Sequence, residues 1–163
     1  MGFWTKTAAW PARKYQFLIA NDAGEDNQWW WAKSVTLPSY DINISEHQIG
    51  NHKVKYPGIL SWNEVDITIV DVNMKSRDLF YNVLQMGYEI PTEYNTGAAI
   101  DKQNDSSIKQ IEIRQFNPLG EVTQTWTLYN VMFSSVDFGS LSYSEDELVE
   151  ATLKISYDYA VID

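Results

Sequence analysis

A chain of 163 residues is long enough to bury roughly 70% of its unfolded surface in one domain, and the absence of cysteine excludes disulfides, thiolate metal sites and thiol catalysis. Its net charge of −10, from 22 acidic against 12 basic residues, argues against tight nucleic-acid binding, which needs Lys and Arg to neutralise phosphates. Met1 is followed by Gly-Phe-Trp-Thr-Lys and no apolar stretch approaches the ~18 residues of a membrane span, so the chain is expected to be soluble and unprocessed.

In chain order, Tyr15, Phe17 and Ile19 share a face against Lys14 and Gln16, the alternation of a strand from Lys14 to Ile19 that starts after Pro11. Asn21 to Asn27 is turn residues and charge, and Trp29-Trp30-Trp31 opens a second strand to about Leu37, completing a hairpin. After Pro38 a third strand is expected from Tyr40 to Ser45, with Ile42 and Ile44 on one face, then a polar loop from Glu46 to about Asn51. Lys53 to Val72 reads as a strand pair, or one bent strand, interrupted at Pro57-Gly58. Its clearest part is Trp62 to Val72, where Val65, Ile67 and Ile69 alternate with Asp66, Thr68 and Val70.

Between Lys75 and Met86 the period changes. Leu79, Phe80, Val83 and Leu84 form one helical stripe, and Gly87 stands where a C-terminal cap belongs. Thr92 to Ser107 has no period and reads as a long loop. Ile108 to Phe116 and Val122 to Val136 flank Asn117-Pro118-Leu119-Gly120 as a long hairpin, apolar in places on both faces and so in need of cover on both. The last strand alternates strictly, with Val149, Ala151, Leu153, Ile155, Tyr157 and Tyr159 against Glu150, Thr152, Lys154, Ser156 and Asp158. The sum is a single domain over residues 1–163, mainly β with one α-helix, an antiparallel β-sandwich or open barrel with long hairpins.

Reactive chemistry finds little support. The two histidines, His47 and His52, lie five apart in a polar stretch, a spacing that fits no usual zinc motif, and no Gly-x-Ser-x-Gly elbow presents a serine. Asp66 and Glu112 could form a glycosidase pair, but nothing in the sequence sets them opposite one another. Asp101 to Asp105 lacks the glycine and terminal glutamate of a calcium loop, and no glycine-rich phosphate cradle exists. Trp29-Trp30-Trp31 cannot make one sugar-stacking platform, because consecutive strand residues point to opposite faces. No enzymatic activity, metal or cofactor is expected. Seven Trp, ten Tyr and six Phe instead suggest that part of the aromatic surface is buried between subunits.

Several segments resemble, in order, the tail tube family of contractile-tailed phages and the related tube proteins of type VI secretion and contractile injection systems. Trp10-Pro11-Ala12-Arg13-Lys14-Tyr15-Gln16-Phe17 is similar to that family's approach to its first strand, and Ala32-Lys33-Ser34-Val35-Thr36-Leu37-Pro38 to its second strand and following proline. Trp62-Asn63-Glu64-Val65-Asp66-Ile67-Thr68-Ile69 is similar to the strand before the helix. The run from Phe138-Gly139 through Leu141-Ser142-Tyr143-Ser144, then Leu153 to Tyr159, resembles the closing strands.

The resemblance implies rings of six copies stacked into a hollow tube inside a sheath: a virion component, assembled in the host cytoplasm, that conducts DNA during ejection without itself entering a membrane. Its partners would be itself, the sheath protein, and baseplate and terminator proteins. Two hairpins per subunit, here about Tyr40 to Val70 and Ile108 to Val136, would join around the ring into an inner barrel. Ile42, Ile44, Val65, Ile67, Ile111, Ile113, Trp126 and Leu128 are then the expected inter-subunit residues. Pairing every free edge in a closed ring turns an aggregation hazard into a controlled interface. Contacts between rings are expected from Glu46, His47, Asn51 and His52 in the Glu46 to Pro57 segment, with Phe3, Trp4 and Trp10 as second candidates, and the channel wall from Asp66, Gln110 and Glu112. The rival readings are a tube initiator or baseplate component of the same fold, a tube that delivers effector proteins and, more distantly, a carbohydrate-binding β-sandwich.

Overall fold

The computed structural model describes residues 11–21, 28–29, 32–71 and 109–163. The helix expected over Lys75 to Met86, the loop from Thr92 to Ser107, and Phe3, Trp4 and Trp10 lie outside these residues. Within them the chain is mainly β, and every pairing is antiparallel. The strands are β1 (Phe17–Asn21), β2 (Gln28–Trp29), β3 (Ala32–Val35), β4 (Tyr40–Ile49), β5 (His52–Trp62), β6 (Val65–Val70), β7 (Gln110–Phe116), β8 (Val122–Tyr129), β9 (Met132–Asp137), β10 (Glu150–Ser156) and β11 (Tyr159–Ile162). They form a five-stranded sheet in the order β11-β8-β7-β1-β2, a four-stranded sheet in the order β3-β6-β10-β9, and the separate β4-β5 pair.

One buried cluster draws on both larger sheets: Ile19, Ile111, Ile113 and Leu128 from the first, and Val65, Ile67, Ile69, Ala151, Leu153 and Ile155 from the second, each fully buried. Period-two alternation produces this directly, since the residues between them face away from the cluster. Each large aliphatic side chain withdrawn from water in this way stabilises the fold by about 1.5–3 kcal/mol.

Several boundaries differ from the sequence reading, each for a local reason. The first strand begins at Phe17, not Lys14, because Lys14 and Tyr15 occupy a turn in which the Gln16 N–H donates to the Arg13 carbonyl at 3.3 Å. The stretch expected as one strand from Trp29 to Leu37 is two: β2 pairs with β1 and β3 with β6, so it leaves one sheet for the other. Val122 to Val136 likewise divides at Asn130, whose φ of 53° turns the chain from β8 in the five-stranded sheet to β9 in the other. The closing strand divides at Tyr157-Asp158, so Tyr159 belongs to β11, is exposed, and does not share the core face of Leu153 and Ile155. The Asn130 side-chain amide donates to Asp158 Oδ2 at 2.8 Å and ties these two crossings together.

The largest difference lies between Glu46 and Asn51. Glu46 to Ile49 continues β4 rather than forming a loop, and the reversal is a two-residue turn at Gly50-Asn51. Gly50 has φ 61°, the positive value that a type II′ hairpin turn requires at its first central position. Nor does Pro57-Gly58 interrupt β5. Pro57 pairs with Ile44, and the irregularity is absorbed by a bulge between Ile42 and Ile44. The break comes at Asn63-Glu64, so of the strand expected from Trp62 to Val72, Trp62 ends β5, Val65–Val70 form β6, and Val72 lies outside the described residues.

Candidate assembly surface

The β4-β5 pair is an arm. At its base Tyr40 meets Trp62 edge-on at 5.3 Å between ring centroids, and Trp62 meets Tyr157 at 5.8 Å. The Asn63 N–H donates to the Ser39 carbonyl at 2.9 Å, while its side-chain amide donates to Ser39 Oγ at 3.1 Å and Asp41 Oδ2 at 3.0 Å. These contacts fix where the arm leaves the four-stranded sheet. Burial raises the Tyr157 phenol above the ordinary tyrosine range. The Ser39 backbone lies close enough to oppose part of that rise but is not in hydrogen-bond geometry, and the hydroxyl finds no partner among the described residues.

Beyond the base the arm is bare. Every residue of β4 is exposed, and in β5 only Val54 and Trp62 are half-buried. Ile44 is 62% exposed and Ile59 83%, values that water tolerates poorly on a pair of strands whose outer edges are both open among the described residues. The register places Ile42, Ile44, Glu46 and Gln48 opposite Leu60, Pro57, Lys55 and Lys53, so one face runs from apolar near the base to charged near the tip. Glu46 lies 3.6 Å from both Lys53 and Lys55, one carboxylate between two mostly exposed ammonium groups.

The outer faces of the two larger sheets differ in character. On the four-stranded sheet, Asp66 stands opposite Lys154, and Thr152 opposite Thr68 and Asp137. Lys33 on β3 pairs with Glu150, which raises the lysine pKa. This face carries short hydroxyls and balanced charge. On the five-stranded sheet, the Arg114 guanidinium donates to Glu112 Oε2 at 2.5 Å, Gln110 donates to Glu112 Oε1 at 3.4 Å, and Tyr129 stacks on Tyr159 at 4.8 Å. Ala20 and Thr127 are buried there although they point away from the core, while Gln110, Glu112 and Arg114 are half-buried.

The residues singled out from the sequence therefore fall into separate groups. Val65, Ile67, Ile111, Ile113 and Leu128 are fully buried in the chain's own core, and Trp126 packs against it half-buried. Ile42 and Ile44 lie on the exposed arm. Glu46, His47, Asn51 and His52 come together in its distal half. Asp66 lies on the outer face of one sheet and Gln110 and Glu112 on that of the other, with the core between them. Sequence reasoning passed over Tyr56, Ile59 and Leu60 on the arm and Leu148 before β10, and took Leu141 and Tyr143 only as part of a run resembling closing strands; all are exposed, and apolar residues inside polar tracts were the signal. Among the described residues no group of three or more His, Asp or Glu is placed to hold a metal ion.

No protein-family model and no curated protein matches the chain. Solved structures do. A chain in the sheath/tube terminator of the PVC extracellular contractile injection system, in its extended state, is similar with a TM-score of 0.70 at 16% identity, over 96% of this chain and 99% of that one. A chain in the baseplate of the anti-feeding prophage gives 0.72 at 15% identity, over 95% and 97%. One in the extended PVC sheath-tube complex gives 0.69 at 19% identity, over 96% and 93%. The fold is shared with these chains over nearly their whole lengths.

Proposed function

We propose that this chain is a structural, non-enzymatic subunit of the inner tube of a contractile tail or injection machine, assembling into stacked six-membered rings that form a conduit inside a sheath. The observation that carries the reading is the arm: a long hairpin with both edges open among the described residues and with exposed apolar side chains on one face. Such a surface in a soluble domain calls for a partner, and a repeated partner gives a polymer. The shared fold with chains in sheath-tube, terminator and baseplate structures supports it.

In this reading Ile42 and Ile44 contact neighbouring copies, while Val65, Ile67, Ile111, Ile113 and Leu128 hold the subunit together. The two larger sheets pack as an open sandwich. The conduit is lined by the outer face of the four-stranded sheet, with Asp66, Thr68, Thr152 and Lys154, because short polar side chains let a cargo slide without adhering. Gln110 and Glu112 then lie away from the channel. Sheath, baseplate and terminator proteins are the other partners, and the cargo is DNA in a phage virion or protein in an injection system.

Negative-stain microscopy of the purified chain at high concentration tests this. Long uniform hollow tubes with sixfold end views are the expected result, and a chain that stays monomeric at every concentration overturns it. Isolated rings that never stack support the second reading, a terminator or baseplate component, which the similarity to chains in those structures favours.

A further inference from the structure

The turn of the arm makes neighbours of two residues whose spacing along the chain matches no usual metal motif. Ser45 pairs with Tyr56, His47 with Val54 and Ile49 with His52, without a shift of register, and the chain reverses at Gly50-Asn51. Strand side chains alternate between faces, so these six residues share one face, while Glu46, Gln48, Lys53 and Lys55 occupy the other. The two histidines of the chain therefore stand on the same face near the tip, diagonal to one another, and both are exposed.

Diagonal neighbours in such a ladder lie about 7–8 Å apart, within reach of aromatic and long side chains. The opposite face shows the same step in use. Lys53 lies two residues before Lys55, the partner of Glu46, and its ammonium still comes within 3.6 Å of the Glu46 carboxylate. His52 likewise lies two residues before Val54, the partner of His47. The histidine face of residues 45–56 carries no Asp, Glu, Lys or Arg, and the Glu46 carboxylate is engaged between two lysines on the far side.

We propose that His47 and His52 chelate one divalent transition-metal ion, of the class of Zn²⁺, Ni²⁺ and Cu²⁺, across the tip of the arm. Imidazole nitrogens suit such ions, at about 2.0–2.1 Å for zinc. Two of them converging from adjacent strands bind far more tightly than either alone, because the second is presented at high effective concentration. Water fills the remaining positions of the ion. Calcium and magnesium, which take oxygen ligands, are not accepted. An ion held this way ties β4 to β5 beside the turn, at the end of the hairpin farthest from its anchorage at Tyr40 and Trp62. The site depends on the register of the hairpin alone and is independent of whether copies assemble.

Calorimetric titration of the full chain with zinc chloride reads the site directly. One ion per chain is expected, and His47→Ala and His52→Ala should each weaken binding by ~10-fold or more. A sharper variant exchanges two adjacent residues: His52→Lys with Lys53→His keeps composition and charge but carries the second imidazole to the other face, so it should bind zinc no better than the alanine variants. All three variants alter exposed side chains only. Zinc should also slow amide exchange in residues 46–55 of the parent and leave it unchanged in every variant, because only an ion bound to both strands ties them together. A parent that binds no zinc, a variant that binds as tightly as the parent, or zinc that leaves exchange in the arm of the parent unaltered overturns the proposal.

Discussion

Tyr157 shows how a single side chain serves two structures at once. Its ring is 7% exposed, closes the core beside Ile155 and supports Trp62 at the base of the arm, while its buried hydroxyl has no partner among the described residues. Tyr157→Phe keeps the ring and removes the orphaned group, so it should change stability by less than ~1 kcal/mol or improve it. A loss well beyond that in urea unfolding would mean that the hydroxyl is bonded after all. The pH dependence has a definite sign. With the folded pKa raised above the unfolded value of ~10, the phenol's contribution is complete below pH ~10 and is lost as the pH climbs through the folded value. The parent should therefore weaken relative to Tyr157→Phe only in strong alkali.

At the scale of elements, alternation was the reliable signal and polarity the misleading one. Val65 to Val70 and Glu150 to Ser156 were legible because a strand buried on one face alternates. The arm was legible only in part: Ile42 and Ile44 mark its strand from Tyr40 to Ser45, but Glu46, His47 and Gln48 have the composition of a loop and the geometry of β4. The chain crossings at Asn130 and Tyr157-Asp158 were invisible for a related reason, since the apolar pattern continues while the chain changes sheets. Gly58 illustrates what composition did mark. A Cβ there would come within 2.7 Å of the Asn43 carbonyl oxygen at the bulge. Gly58→Ala should displace the arm's backbone at a cost of about 1 kcal/mol and speed amide exchange in residues 42–61, leaving Ile67 and Leu153 protected. Unaltered exchange in the arm would show that the bulge yields freely.

Across the whole molecule, the exposed and buried aliphatic residues have separable duties. Leu153→Ala removes packing from the shared core and is expected to cost about 3 kcal/mol, lowering the melting temperature of the isolated subunit. Ile42→Ser with Ile44→Ser should leave that temperature almost unchanged and abolish multimers in sedimentation velocity. A double serine variant that melts early, or that still assembles, would contradict this division. The sequence placed Ile42 and Ile67 in one class because both stand in alternating stretches. Only the pairing of β6 with β10, and of β4 with nothing but β5 among the described residues, tells them apart.

The anchorage of the arm has a mechanical consequence. Through Asn63-Glu64 it runs into β6, and through Trp62 it leans on the residue that follows β10; these are the two interior strands of their sheet. A pull on β5 is thus delivered lengthwise into the middle of the sheet, where ladders of hydrogen bonds on both sides resist in shear, whereas a pull on β4 reaches β3, the border strand of the same sheet. The two roots of the hairpin are therefore unequal, one set in the interior of the sheet and the other at its rim.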